Sequence, residues 1–264
     1  MAPKSGGRPR SNAVQAARGT SRGRAGLITG IVIVVVVAVA VAIGVAVQTH
    51  HKAVAIGHRI ATVSSSAHGA PVALDKKSAT VTVGAPTAPV TIDVYEDFLC
   101  PICGGFEHED GEAMRQAIVA SKLRVRYHML NLLDDRTNPP GYSMRAATAA
   151  LAVADAAPAS FASFHDSLFA DQPAEGSAGY DANQLEQLAR GLGVPAGRVT
   201  AAINGHTFDA GVQGDLDQAS GNPTLQQKDE DDGSSGFGTP TVAQGATLLD
   251  VSQDNWLTSI LAGH

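Results

Sequence analysis

Val90-Thr91-Ile92-Asp93-Val94-Tyr95-Glu96-Asp97-Phe98-Leu99-Cys100-Pro101-Ile102-Cys103 is the stretch from which the fold is read. Its first part, Val90–Tyr95, is rich in β-branched and aromatic residues and follows the turn Gly84-Ala85-Pro86, so it predicts a central strand. A helix is expected to begin at Cys100 or Pro101, because proline fits the first helical turn without wasting a needed N–H. That helix should run to about Ser121, with an irregularity near Gly104-Gly105. Leu123–Leu130 alternates in polarity and reads as the next strand. A strand–helix–strand unit therefore surrounds the cysteines, which implies a parallel pair of strands.

Outward from this unit, Ala79–Val83 reads as a short edge strand, and the folded body is expected to start near Ser78. Downstream, residues 139–222 switch to helical patterns: Tyr142–Ala156, Phe161–Phe169, Asp181–Gly191 and Val199–Ser220. Strand character returns at Thr241–Ala243 and Thr247–Val251, and Asn255–Ala262, with the sole tryptophan Trp256, reads as a closing helix. Strands on either side of an all-helical middle make residues 78–264 an α/β domain with a helical insertion.

The N-terminal third has a different character. Residues 1–26 carry six bases and no acid and read as a basic arm. Leu27–Val47 is almost wholly apolar, and its twenty-one residues would span about 31 Å as a helix, close to a hydrocarbon core of about 30 Å. Its β-branched residues do not favour a strand in lipid, where a lone strand leaves its backbone unsatisfied. An uncleaved transmembrane anchor is expected, with a cleavable signal peptide as the competing reading. Bases ahead of the span place the N-terminus in the cytoplasm and the body outside. Residues 48–77 lack sustained periodicity and read as a flexible tether.

Residues 1–77 hold ten bases against the single acid Asp75, whereas residues 78–264 hold nine bases against twenty-four acids. So acidic a body would repel phosphate backbones, and no nucleic-acid partner is expected.

Cys100 and Cys103 are the only cysteines. As a staple, they would close a loop of four residues and restrict the unfolded chain by only about 2 kcal/mol. As a metal site they are half a ligand set, and nothing in the sequence fixes His108 or His128 near the sulfurs, so no metal is expected. A redox dithiol fits better. A thiol at a helix N-terminus faces unpaired N–H groups and the positive dipole end, and both stabilise a thiolate. Cys100 should be the exposed nucleophile, and Cys103, one turn on, the more buried resolving thiol.

Gly238-Thr239-Pro240-Thr241 precedes a strand 140 residues after the first cysteine. With Glu96-Asp97-Phe98-Leu99 leading into Cys100-Pro101-Ile102-Cys103, it resembles the DsbA-like branch of the thioredoxin superfamily, in particular its membrane-anchored members. The resemblance covers residues 78–264 and implies a thioredoxin-like fold with a helical insertion. It also implies a thiol:disulfide oxidoreductase without a cofactor. Pro240 would be the cis-proline facing the dithiol, and the Thr239 backbone would pair with an extended substrate segment. Partners implied are reduced secreted or envelope proteins and a quinone-linked membrane oxidase, vitamin K epoxide reductase-like or DsbB-like. Several relatives place a buried acid six residues before the first cysteine, where this chain has Val94. Asp93, Glu96 and Asp97 are the nearby candidates for proton handling, the alternative being that Glu96 and Asp97 only shape the loop. The Pro101-Ile102 dipeptide lacks the histidine of the most oxidising relatives. A reductase or isomerase of the same fold, and a tethered peptide-binding module, stay open as other readings.

Overall fold

A computed structural model describes residues 58–228 and 234–263. The basic arm, the apolar segment 27–47 and residues 48–57 lie outside the described residues. Among the described residues, no helix is long and apolar enough to cross a membrane.

The fold is built around a six-stranded sheet. Its strands are β1 (Val72–Asp75), β2 (Thr80–Val83), β3 (Val90–Glu96), β4 (Leu123–Met129), β7 (Thr241–Gln244) and β8 (Thr247–Leu248). They lie in the order β1-β2-β4-β3-β7-β8. Only β3 and β4 run parallel, joined across the sheet by the helical crossover that carries the cysteines. A separate two-stranded ribbon, β5 (Gln227–Lys228) with β6 (Ser235–Gly236), completes the strands. Helices α1 (Pro101–Glu109) and α2 (Gly111–Val119) form the crossover. Five more fill the insertion between β4 and β7: α3 (Tyr142–Ala156), α4 (Phe161–Ala170), α5 (Ala182–Gly191), α6 (Arg198–Asn204) and α7 (Asp209–Ser220). Helix α8 (Trp256–Ala262) closes the chain. The domain is a thioredoxin-like α/β fold with a helical insertion.

Strand alternation explains what each face of the sheet does. Ile92, Val94 and Glu96 of β3 share one face with Val125, Tyr127 and Met129 of β4, their register partners. That face is buried, with α4 against it through the ring contacts of Tyr127 with Phe161 and His165. Asp93 and Tyr95 point the other way, beside Arg126 and His128. There the ring of His128 stacks on Tyr95, and its Nδ1 meets Asp215 of α7 at 2.9 Å.

Several sequence expectations need correction. Residues 58–77, read as tether, belong to the fold. Ile60 and Ala67 are buried in the core, and Val63 and Ser65 donate their backbone N–H groups to Ser167 and Ser163 of α4. Residues 72–75 form β1, so β2 is not an edge strand, because β1 covers its free side. The helix after the cysteines passes straight through Gly104-Gly105 and breaks at Asp110, whose carboxylate accepts the Trp256 indole N–H at 2.9 Å. The segment read as one helix at Val199–Ser220 is two, α6 and α7, divided at residues 205–208. The last strand stops at Leu248, short of Val251.

The buried position of Ile60 has a measurable consequence. Ile60→Ala in the full chain should cost about 2–5 kcal/mol, the range for truncating a buried isoleucine. Denaturant unfolding checks this, and an unchanged midpoint would return residues 58–77 to the role of a tether.

Candidate active site

Cys100 occupies the N-cap of α1 in extended conformation, with Pro101 in the first turn and no side-chain cap. Two interactions set the loop in front of it. The Cys100 N–H donates to the Asp97 carbonyl at 3.0 Å, and the Asp97 carboxylate accepts the N–H of Leu99 and that of Leu133, each at 2.8 Å. Asp97 is therefore a brace between the end of β3 and the segment after β4. Burial lifts its pKa to about 7 despite the two backbone donors.

The thiols are both free and differ sharply in surroundings. Cys100 is not the exposed thiol expected from the sequence: it is 5% exposed, with the Thr239 carbonyl against its sulfur, and Cys103 is wholly buried. The Cys103 thiol donates to the Cys100 sulfur, and the Cys103 and Ile102 backbone N–H groups point the same way. Together they outweigh burial and hold the Cys100 pKa down at about 6. Burial, that same donated hydrogen bond and the charges of Cys100 and Glu96 push Cys103 well above the ordinary thiol range. The two thiols are thus driven apart, Cys100 downward chiefly by the neighbouring thiol and Cys103 upward chiefly by burial. Ile102 between them is 70% exposed, a large apolar side chain beside the reactive sulfur.

Opposite the dithiol stands the Thr239–Pro240 loop, whose peptide bond is cis. The Cys100 Sγ donates to the Thr239 carbonyl at 3.2 Å. Two glutamines, distant in sequence and not singled out from it, support this arrangement. Gln172, just past α4, donates from Nε2 to the carbonyls of Phe98 (3.0 Å) and Cys100 (2.8 Å). Its Oε1 would lie 2.5 Å from a Cβ at position 104, so Gly104 is the residue that lets the insertion close over α1. Gln227 donates to the carbonyls of Gly238 and Pro240, at 3.3 and 3.1 Å, from the far side.

Of the three acids proposed for proton handling, the structure brings two to the dithiol. Glu96 ends β3 on the buried face and Asp97 starts the loop. Asp93 lies on the opposite face, paired with Arg126 and 3.1 Å from His128 Nε2, so it ties β3 to β4 and reaches the insertion only through the His128–Asp215 contact. The parity of β3 is the reason, since residues three apart on a strand cannot share a face.

Glu96 opens a buried ionic network that the sequence did not signal. Its Oε1 lies 2.6 Å from His165 Nε2, and His165 Nδ1 lies 3.4 Å from Asp166 Oδ1. Arg115 Nη1 reaches Asp166 at 3.2 Å and Glu107 at 3.4 Å. Burial works against charging His165, but the Glu96 charge and its hydrogen bonds to Asp166 and Glu96 raise its pKa well above the ordinary value. Glu96, Glu107 and His165 each place a ligand-type atom within 4.8 Å of the others. In the structure these groups are tied to one another and to Arg115 as ion pairs, with Glu107 Oε2 on the guanidinium.

Residues 76–245 match the family model described as Thioredoxin. Among curated proteins, the chain is 30% identical over 173 residues to the serine/threonine-protein kinase PknE of Mycobacterium tuberculosis. That match covers 64% of this chain but only 29% of the kinase. Among solved structures, reduced DsbA from Mycobacterium tuberculosis is 30% identical at a TM-score of 0.55, covering 74% of this chain and 91% of that one. The reduced disulfide bond oxidoreductase DsbG from the same organism is 30% identical at 0.56, covering 72% and 91%. MdbA, a thiol-disulfide oxidoreductase from Corynebacterium diphtheriae, is 21% identical at 0.58, covering 75% and 95%, and supports the fold alone.

Proposed function

This chain belongs to the thioredoxin family, and from that premise we propose that it is an extracytoplasmic thiol:disulfide oxidoreductase that passes a Cys100–Cys103 disulfide to secreted or cell-envelope proteins. The observation that carries the reading is a low-pKa Cys100 at a helix mouth, its sulfur 3.2 Å from the Thr239 carbonyl of the cis-proline loop, backed by a buried Cys103 whose pKa is held well above the ordinary range. The names of the DsbA and DsbG structures at 30% identity support the same chemistry.

In the proposed reaction, a client thiolate attacks Cys100 Sγ of the oxidised protein. The Cys100–Cys103 bond breaks, and Cys103 leaves with the electron pair and takes up a proton. The client's second thiolate then attacks its own sulfur in the mixed disulfide and expels Cys100 as a thiolate. Two electrons have moved from client to dithiol, and the client holds the disulfide. Cys100 is a good leaving group because its thiol is acidic. The Thr239 backbone presents its polar groups to an extended client segment, and exposed Ile102 supplies an apolar contact beside the sulfur.

The apolar run Leu27–Val47 behind a basic arm supports anchoring in the cell membrane, N-terminus inside and catalytic domain outside. There, newly exported chains arrive reduced, and disulfides persist once made. Reoxidation falls to a quinone-linked membrane oxidase of the vitamin K epoxide reductase-like or DsbB-like kind.

The test mixes the oxidised full chain with a reduced two-cysteine peptide and follows both partners by mass. The expected result is one peptide disulfide formed for each dithiol generated. Reduction of insulin without peptide oxidation would assign a reductase, and peptide binding without exchange would assign a binding module.

A further inference from the structure

Glu96, Glu107 and His165 come from three different elements, β3, α1 and α4, and meet in one buried cluster. Each places a ligand-type atom within 4.8 Å of the others. His165 Nε2 lies 2.6 Å from Glu96 Oε1, while Glu96 Oε2 is buried with no hydrogen-bond partner among the described residues. Glu107 divides in the same way: Oε2 is on Arg115 at 3.4 Å, and Oε1 is buried and likewise unpartnered among the described residues. Buried polar atoms almost always find partners, so two such oxygens on neighbouring carboxyls point to a ligand that they share. The other ring nitrogen of His165 is also engaged, with Nδ1 3.4 Å from Asp166 Oδ1. A metal-bound histidine characteristically gives its second N–H to a carboxylate, which fixes the ring and its tautomer. Arg115 in turn reaches Asp166 at 3.2 Å, so one guanidinium braces Glu107 and Asp166 together.

Charge agrees with this geometry. The carboxyls of Glu96, Glu107 and Asp166 face one guanidinium, that of Arg115, so with His165 neutral the cluster holds an excess of negative charge. Buried charge has to be compensated, and a dication does so with a single atom. We propose that Glu96, Glu107 and His165 bind a divalent metal ion of the zinc class, with Asp166 and Arg115 as positioning residues. One imidazole and two carboxylates suit zinc. Calcium and magnesium, which take oxygen ligands, gain nothing from the imidazole. Ligand atoms about 2.1 Å from a tetrahedral zinc lie about 3.4 Å from one another. The 2.6 Å pair therefore opens on binding and the widest pair, up to 4.8 Å, draws in, both by rotation of the carboxyls. Beside Glu107, a cavity of about 180 Å³ that Arg115, Asp166 and His108 also line supplies the way in and room for water as a fourth ligand. Binding displaces any proton on His165 Nε2, since the metal takes the same lone pair. The site uses neither sulfur and does not depend on the exchange chemistry proposed above. It clamps α4 of the insertion and α1, the helix that follows Cys100, onto β3.

The test uses the full chain, stripped of metal by a chelator and oxidised, so that both sulfurs are held in the disulfide and cannot coordinate. Co²⁺ is added first and Zn²⁺ after it. The expected result is one equivalent of Co²⁺ with the visible absorption of a low-coordinate nitrogen and oxygen site, displaced by one equivalent of Zn²⁺. In Glu107→Gln the Zn²⁺ dissociation constant should rise at least about tenfold. In Asp166→Asn it should rise about 10–100-fold, the range for removing the partner of a metal-bound histidine. Zn²⁺ should also raise the denaturant midpoint of the unaltered chain, because only the folded state assembles the three ligands, and should raise that of Glu107→Gln much less. His50, His51, His58 and His68 are further imidazoles in the N-terminal part of the chain, so a variant with alanine at all four should keep the full visible band. Failure of the unaltered chain to take up Co²⁺ or Zn²⁺ would overturn the site, as would loss of the band with those four histidines or an unchanged dissociation constant in Glu107→Gln. An unchanged constant in Asp166→Asn alone would remove Asp166 from its positioning role. Should Glu107→Gln not fold, the unaltered chain and the four-histidine variant still decide between a site in the core and metal held by the N-terminal imidazoles.

Discussion

Replacing Cys100 by serine should reduce thiol–disulfide exchange with any partner to the uncatalysed rate, while replacing Cys103 by serine should leave a protein that reacts once and stops. The two losses differ because the thiols have different jobs. Cys100 carries the thiolate, and a serine hydroxyl can neither ionise near neutrality nor form and release a sulfur–sulfur bond. Cys103 is wholly buried behind it and is reached only from Cys100. Without it, the mixed disulfide on Cys100 has no internal attacker and should accumulate. Mass spectrometry under non-reducing conditions, after incubation with a disulfide-bonded peptide, would show the adduct on Cys103→Ser and none on Cys100→Ser. The reverse pattern would exchange the roles of the two sulfurs, and stable adducts on both would remove the resolving role altogether.

The parts of this site that could be read from the sequence are those encoded by adjacent residues or by a strand boundary. Cys100-Pro101-Ile102-Cys103 is contiguous, and the strand before it together with the proline in its first turn marks the helix mouth. Gly238-Thr239-Pro240-Thr241 is equally local, and the structure sets it where the motif order implies. Asp93 is close to the cysteines in sequence but three residues from Glu96 on the same strand, and the alternation of β3 turns it to the opposite face. Glu107, His165, Asp166 and Arg115 were illegible for a different reason. Glu96 and His165 lie 69 residues apart, and Arg115 and Asp166 lie 51 apart, so only the packing of α4 on the sheet assembles them. Gln172 and Gln227 carry no local signal either, as each works by reaching backbone carbonyls of another segment. Residues 58–71 mislead in the opposite sense. They lack regular periodicity because they are held by side chains of α4 and by scattered apolar anchors, not by a helix or a strand of their own.

The reduction potential of the dithiol should fall by roughly 59 mV per pH unit below about pH 6 and by only roughly 30 mV above it. The break follows from the Cys100 pKa of about 6 beside a Cys103 held well above the usual range. Below the break, reduction binds two protons for two electrons, and above it only Cys103 takes one. The sign follows from linkage: an acid whose pKa is depressed on folding stabilises the reduced protein above its unfolded value, and that stabilisation is lost as pH falls through about 6. At pH 7, depression from 9.0 to about 6 is worth at most about 1.4 kcal/mol, since pH 7 lies only about one unit above the depressed value. That corresponds to at most about 30 mV. Compared with thioredoxin, whose thiol near 7 accompanies a potential of about −270 mV, the extra acidity adds about 20 mV, so about −250 mV is expected. Such a value is far from the roughly −120 mV of DsbA, in keeping with a dipeptide that lacks histidine. It still suffices for the proposed direction. Structural disulfides of secreted proteins lie below about −300 mV, and a gap of about 50 mV favours transfer to the client by about 2.3 kcal/mol. Equilibration of the full chain with glutathione from about pH 5 to 8 measures both quantities. A single slope of 59 mV across that range would mean that Cys100 remains a thiol, and a potential below about −300 mV would reverse the flow of electrons between this protein and its clients.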